Sequence, residues 1–487
     1  MVFTTKIAAQ VDHYWGQVYN PESALVGGAV VSGNGGTGAA YYNPATIAFV
    51  KKSAFSFNVS LLSMENYRIK NAFGDQQKFT VTQLVLQPRF IAALVQPKKL
   101  NKIILEIIVL NSNNYKLNFA ETSNSSYDVL AYSPGKENYT GFLTYGNKYD
   151  ERLYGIGGSK KLNEKFSLGT SLFLVYKNSI SSQIITSSAS PKSEDLIGTA
   201  NYYYASTGTS ERIEYSNYRF RTKVGANYQT KNFGLGLNLT LPSLNLYGSA
   251  NVFREFNQSN ISLPDQNETT KDILITDYQY ELKANYKDPL AIAVGAHLIK
   301  NKHFYSISME YFAGINEYKA IQANNNPLST TTENYASLNE KDFLSVYYAA
   351  KPVFNVAIGH KRYLSENLLL YAGFRTDFSS KKDLTKRNDY FSTSLDLVNY
   401  NMYHTSVGMD FVFHKTNLVF GLQYSISRKN NLKQLANFED PLEYNYKDNI
   451  ALQGEKTNTM QFKYDALSLY VGLTYSFFRE VTGLDPE

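Results

Sequence analysis

The chain has 487 residues, with 48 Lys and Arg against 42 Asp and Glu, for a formal charge of +6. It carries 40 Tyr and 29 Phe but 1 Trp, 13 Pro and 0 Cys. The missing cysteines exclude disulfides, thiolate metal sites and a lipidated N-terminal cysteine, and scattered cations at so modest a charge argue against a nucleic-acid partner. Tyr and Phe are strand formers that tolerate a half-wet surface. Membrane barrels place them in girdles at the two water–lipid boundaries, although a sugar-binding β-sandwich would share the surplus.

Residues 1–10 read MVFTTKIAAQ, with one Lys and small residues but no apolar h-region; they are expected to be the remnant of a signal peptide. No apolar run approaches the roughly 18–20 residues of a membrane helix. The best candidate, 102–110, is short and carries Glu106. A membrane-spanning form of this chain must therefore be a closed barrel, because only helices and barrels satisfy every backbone group in lipid.

Residues 11–50 do not alternate, and from Gly27 to Phe49 they run GGAVVSGNGGTGAAYYNPATIAF. One place for such a segment is inside a barrel, where small residues let backbone pack against the wall. Gly33, Gly35 and Gly38 formally make a G-x-G-x-x-G. The dinucleotide reading fails because no strand precedes it, Asn43-Pro44 follows at once, and no βαβ unit surrounds it.

From residue 51 one unit repeats: apolar alternation, a short polar turn, apolar alternation. Phe233, Leu235, Leu237 and Leu239 alternate with Gly234, Gly236, Asn238 and Thr240, and Leu467, Leu469, Val471 and Leu473 do the same near the end. Period two over about ten residues is a strand signal of barrel length. Short turns are expected at 97–102, 162–165, 230–232, 300–303, 364–367 and 414–417, each joining an antiparallel pair. With a first strand near 53–69 and a last near 466–478, the count is about fourteen. The other connections (111–150, 179–216, 248–288 and 316–345) read as long loops rich in Asn, Ser, Thr and Tyr. Short turns on one side and long loops on the other are the outer-membrane pattern, with the short side periplasmic; a sandwich or propeller would share long loops between both ends. The expected barrel covers 51–478, and 479–487 reads as a periplasmic tail.

The small-residue segment leading into Tyr42-Asn43-Pro44-Ala45, followed by about fourteen strands, resembles the FadL/TodX outer-membrane transport family. Thr240-Leu241-Pro242-Ser243 with Leu246-Tyr247-Gly248, and Asp288-Pro289-Leu290 opening a strand to Gly295, are similar to stretches of that family. The resemblance implies an all-β transmembrane antiparallel barrel with residues 11–50 as an N-terminal hatch inside the lumen. Gly33, Gly35, Gly36, Gly38, Tyr42, Asn43, Pro44 and Ala45 would be its gating residues. It also implies uptake of long-chain fatty acids or other hydrophobic small molecules, with lateral exit through a break in the wall; the sequence does not locate that break.

Parity supplies a lumen set. If Tyr218, Phe220, Val224 and Tyr228 face lipid, then Arg219, Arg221 and Lys223 face inward as a basic ladder. One reading is a substrate site for a carboxylate or other anionic headgroup, since Arg holds a carboxylate bidentately. The other is a structural ladder paired with lumen acids such as Glu106, Glu310 and Asp410, or one above the membrane and wet on both faces. His297, His404, Arg375 and Gln423 are further interior candidates. The His297–His303 spacing does not suit a metal, no cofactor motif is present, and G-x-S-x-G, H-E-x-x-H, P-loop and EF-hand signatures are absent, so no catalytic residue is expected.

The expected function is a hatch-gated outer-membrane channel for hydrophobic molecules in a Gram-negative bacterium, working by burial of apolar surface. Its partners are a hydrophobic ligand and outer-membrane lipid, with the outer loops offered to a protein partner. The alternatives are a non-transporting barrel scaffold of a secretion or surface-assembly complex, and a diffusion porin.

Overall fold

The computed structural model of the protein describes residues 13–15, 19–33, 36–50, 54–58, 61–75, 77–87, 90–97, 103–133, 135–192, 204–262, 272–327, 329, 343–382, 384, 400–448 and 450–476. The expected signal remnant at 1–10, the tail at 479–487, Gly35 and most of the turn at 97–102 lie outside the described residues.

The alternating runs form fourteen barrel strands, several in two parts. They are β1 (Ala54–Asn58 and Leu61–Lys70), β2 (Lys78–Gln87 and Phe90–Val95), β3 (Ile103–Tyr127), β4 (Glu137–Lys161), β5 (Phe166–Ser190), β6 (Ala205–Gln229) and β7 (Phe233–Thr240 and Leu244–Ser259). The second half comprises β8 (Ile273–Ala284 and Ala291–Lys300), β9 (His303–Phe312 and Ile315–Gln322), β10 (Val346–Ala350 and Val353–Ser365), β11 (Leu368–Asp377), β12 (Met402–Phe413), β13 (Thr416–Leu432) and β14 (Met460–Ser476). Neighbours pair antiparallel, and β14 returns to β1 through Ala54↔Ser476 and Leu62↔Leu469. Closure joins the first strand to the last, as lipid demands, while the outer half of β2, Lys78–Gln87, pairs with β1 alone among the described residues.

Lipid-facing positions are apolar and exposed: Leu235, Leu237, Ile292, Val294, Ile358, Val407 and Leu469 all point outward. Tyr176, Tyr218 and Tyr247 share one register row on that face and mark the outer interface; Tyr228, Tyr305 and Phe413 lie near the short turns and mark the inner one. The barrel therefore sits in an outer membrane.

The connections read as long loops prove to be mostly strand. β3 to β6 each run 25 residues, far beyond the roughly ten a tilted barrel strand needs. Above the lipid their outward faces are mostly polar, so the apolar-out alternation fades while pairing continues, and inward they carry Leu117, Leu143, Tyr145 and Ile185. Their tips meet the β13–β14 connection, which folds back as a hairpin of Leu442–Asn445 and Ile450–Gln453. Phe73 stacks between Phe79 and Phe438 there. Tyr139 donates to Leu452 O at 2.8 Å, and the Glu443 carboxylate takes Ala131 N at 2.9 Å and Ser262 N at 2.7 Å. An apolar cluster thus fills the outer mouth.

The backbone ladder is interrupted around β8. β7 and β8 pair at Thr240↔Ala291 below and Ser249↔Lys283 above. Between these points Asp288 N bonds Ser243 Oγ at 2.8 Å and Tyr286 N approaches Asn245 Oδ1 at 3.5 Å. On the β9 side, Lys287 N reaches the Tyr318 hydroxyl at 3.1 Å. Pro242 and Pro289 lack the N–H a ladder needs. The 285–290 stretch bends inward, burying Tyr286 and Asp288. Asp288-Pro289-Leu290 was expected to open a strand; that strand starts at Ala291, after the bend.

Ile156 is half exposed on the outward face, about six residues above the turn that ends β4 and hence near mid-membrane. Ile156→Arg should cost about 2–4 kcal/mol, the penalty of a lipid-facing cation at the midplane. Reversible urea unfolding in lipid vesicles measures it; a change below about 0.5 kcal/mol would contradict this placement of the lipid band.

Candidate functional site

The N-terminal segment lies against the inward faces of the wall. It carries a helical turn at Pro21–Leu25, another at Ala39–Tyr42 and a 3-10 turn at Pro44–Phe49. Wall glycines make room for it. A Cβ at Gly225 would stand 2.0 Å from Asn43 Oδ1, one at Gly236 2.0 Å from Val31 O, and one at Gly373 2.3 Å from Gly27 N. Serines beside them supply the hydrogen bonds: Ser159 and Ser167 donate to Ala45 O at 2.9 and 2.7 Å, and Ser171 donates to Ala40 O at 2.8 Å.

Of the expected gating residues, Asn43 is the central stitch. Its amide donates to Val31 O at 2.7 Å within the segment and to Ala226 O at 3.2 Å on β6, while its Oδ1 caps Ala45 N at 3.1 Å. Pro44 then begins the 3-10 turn, where its missing N–H costs nothing. Gly38 occupies φ +115°, and Gly33 and Gly36 are also at positive φ, so these glycines shape the segment rather than cradle a phosphate. The Tyr42 hydroxyl accepts Tyr19 N at 3.0 Å.

Glu106 is fully buried on β3, and its carboxylate receives Gly38 N and, at 2.6 Å, Ala40 N. It latches the segment instead of joining the basic ladder. Of the other two expected acids, Glu310 accepts Trp15 Nε1 at 2.5 Å and lines the cavity that Arg221 and Lys223 border, and Asp410 accepts the Tyr371 hydroxyl at 3.3 Å.

Arg219, Arg221 and Lys223 do face inward, as parity required. The acids opposite the two arginines are Glu151 of β4 and Asp288 of the inward bend. Arg219 Nη2 lies 2.5 Å from Glu151 Oε2 and its Nε 2.8 Å from Asp288 Oδ2; Arg221 Nη2 lies 2.9 Å from Asp288 Oδ1. Ser112 donates to Glu151 at 2.7 Å, and Tyr286 lies between Lys177, 3.4 Å from its ring centroid, and Arg219, 4.5 Å away. Lys223 is different. Its ammonium sits 4.2 Å from the Tyr41 ring centroid and borders a cavity of about 60 Å³ that Arg221, Glu151, Asp288, Glu310 and Phe312 also line. That volume holds about four waters at ~15 Å³ each, far less than a fatty acid. His297 bonds Ser32 Oγ at 3.0 Å and His404 bonds Ser425 Oγ at 2.7 Å, while Gln423 accepts the Tyr470 hydroxyl at 3.1 Å.

The sequence missed Glu151 and the role of Asp288. The available signal was Asp288-Pro289, a strand-breaking pair inside an alternating run.

No protein-family model matches the sequence, and no curated protein does. Solved structures do match. The toluene transporter TodX of P. putida aligns at TM-score 0.54 and 11% identity, over 97% of this chain and 100% of its own. A Pseudomonas aeruginosa FadL homologue aligns at 0.52 and 13%, over 98% and 100%, and the CymD monoaromatic hydrocarbon channel at 0.51 and 10%, over 94% and 98%. The chain has the fold of the FadL and TodX channels. The FadL-like layout covers the whole wall, and identities this low carry the architecture alone.

Asp288→Asn leaves two buried arginines to share Glu151. Breaking a buried ion pair costs about 3–5 kcal/mol, so the urea midpoint should fall accordingly, with Arg219→Gln in the same chain adding less than its single effect. A midpoint within error of wild type would show that the cluster does not hold the bend.

Proposed function

We propose that the protein is an outer-membrane channel for hydrophobic small molecules, such as long-chain fatty acids or the aromatic hydrocarbons named for its structural neighbours, with residues 11–50 as its hatch. The observation that carries the reading is the glycine and serine seat. The segment's backbone bonds a wall relieved of side chains, and its Leu25, Val26, Ala40 and Ile47 pack with wall residues such as Leu369, Val419, Ile108 and Phe173. The cavity beside Lys223, about 60 Å³, is too small for such a cargo, and in this reading the segment shifts to open a path.

In this proposal Lys223, which faces the cavity over the Tyr41 ring with Glu310 also lining it, receives an anionic headgroup. Arg219 and Arg221, already engaged by Glu151 and Asp288, hold the inward bend. Gly33, Gly36, Gly38, Tyr42, Asn43, Pro44 and Ala45 set the hatch and Gly35 lies among them in sequence. The interrupted ladder at 285–290 is the lateral exit, since it is held by side-chain bonds that can exchange more easily than a continuous ladder.

The scaffold reading draws on one observation, the apolar cluster filling the outer mouth with loop tips tied across it. An open diffusion pore fits poorly with a lumen occupied by residues 19–50.

The cysteine-free chain offers a clean test. Thr37 Oγ1 of the segment and Ser56 Oγ of β1 are 2.5 Å apart, close to the ~2.05 Å of a disulfide. Thr37→Cys/Ser56→Cys should block uptake of labelled oleate by cells under oxidising conditions, by at least about tenfold, and regain it with reductant. Equal uptake in both states, with the disulfide verified, would remove hatch movement from the mechanism.

A further inference from the structure

The outward face of β13, β14, β1 and β2 changes character sharply above the lipid band. Tyr424, Leu467, Met64 and Leu84 form one register row, exposed and apolar, across these four strands. Two rows further out, Arg428, Lys463 and Arg68 stand side by side on β13, β14 and β1. Beyond them Lys70 and Lys78 face each other across β1 and β2. All five share the parity of the lipid-facing residues, and Arg428, Lys70 and Lys78 are exposed.

One carboxylate stands among them. Asp465, in the intervening row, holds Arg68 Nη2 at 2.8 Å and Lys463 Nζ at 3.6 Å, and it takes the Asn66 amide at 3.3 Å. Arg428, Lys70 and Lys78 make no ion pair among the described residues. Asp75, in the turn between β1 and β2, is bonded by Thr459 Oγ1 at 3.0 Å. Five cations against Asp465 leave a strong positive patch on a flat wall. At ~4.8 Å between strands, Arg428 to Arg68 spans about 10 Å of backbone. Four residues beyond Tyr424, at ~3.3 Å rise and a tilt of about 40°, put the first cationic row about 10 Å above the last apolar one. That is headgroup height, continuous with the acyl-facing surface below it, on the side of the long connections and hence in the outer leaflet.

We propose that this face seats a phosphorylated glycolipid of the outer leaflet, with its acyl chains along the Tyr424–Leu84 row and its phosphates on Arg428, Lys70 and Lys78. Arg68 and Lys463, steered by Asp465, frame the site. Arginine and lysine are the side chains that hold phosphate well, and the continuity of a cationic rim with an apolar wall selects an amphiphile over a free anion. The site lies outside the barrel and is independent of the transport reading.

The test compares the folded wild type with Lys70→Gln/Lys78→Gln/Arg428→Gln, which leaves the Asp465 pairs intact. A control, Lys160→Gln/Lys300→Gln/Arg362→Gln, removes equal charge near the opposite rim. Each is incubated in detergent with bisphosphorylated lipid A, its dephosphorylated form or phosphatidylglycerol, and bound lipid is read by native mass spectrometry. Heat-modifiable gel migration verifies folding. Wild type and control should retain bisphosphorylated lipid A, and the triple variant should retain at least about tenfold less; the dephosphorylated lipid and phosphatidylglycerol should bind weakly to all three. Equal retention by the triple variant, equal binding of the dephosphorylated lipid, or full displacement by millimolar inorganic phosphate would overturn the proposal. If the triple variant does not fold, Lys70→Gln/Lys78→Gln must show the same direction of loss.

Discussion

Every polar backbone group in the lipid-facing wall must find a partner within the barrel, because hydrocarbon offers none. The closed ladder from β1 to β14 meets that demand over most of the described wall, but among the described residues no pairing joins Lys78–Gln87 to β3, and the ladder is interrupted at 285–290. There the wall bends inward, and side chains from β6, β7 and β9 replace the missing ladder bonds. Asp288 is the pivot: its N–H bonds Ser243 and its carboxylate binds Arg219 and Arg221, with Glu151 completing the charge balance. Without those arginines the bend would carry a buried carboxylate and unpaired backbone into the lumen. The ladder of basic residues and the interruption of the sheet are thus one feature seen from two strands.

The same constraint shapes the N-terminal segment. Its irregular backbone survives at membrane depth because the barrel surrounds it and supplies partners. Ser159, Ser167 and Ser171 take its carbonyls, Glu106 takes two of its N–H groups, and Asn43 bonds both the segment and β6. Glycine on the wall is what permits this closeness, since a Cβ at Gly225 or Gly236 would overlap segment atoms.

Much of the wall was legible in the sequence because period two is a direct image of a lipid-facing and a lumen-facing side. Leu235, Leu237 and Asn238 announce their faces without any tertiary information, and so do Arg219 and Arg221. The turns at 162–165, 230–232, 300–303, 364–367 and 414–417 stood out because a tight connection needs polar residues between two apolar runs. Legibility ended where that contrast ended. Strands that rise above the lipid, such as the upper halves of β3 to β6, lose the apolar outward face and read as loops although Leu117, Leu143 and Ile185 point inward. The partner of Arg219 lies 69 residues away in sequence, and pairing across a lumen leaves no local trace. Glu106 and Asp410 face inward but bond the N-terminal segment and Tyr371 rather than the ladder, since parity gives a face and no height along it.

The account therefore joins a wall fixed by lipid chemistry to an inner segment held by hydrogen bonds and apolar packing. Its most direct test is uptake by cells that lack their own hydrophobic-compound channels, with and without this barrel, using a labelled long-chain fatty acid beside a small hydrophilic sugar. The account predicts faster entry of the fatty acid with the barrel present and no change for the sugar. Faster sugar entry, or no effect on either solute, would contradict it.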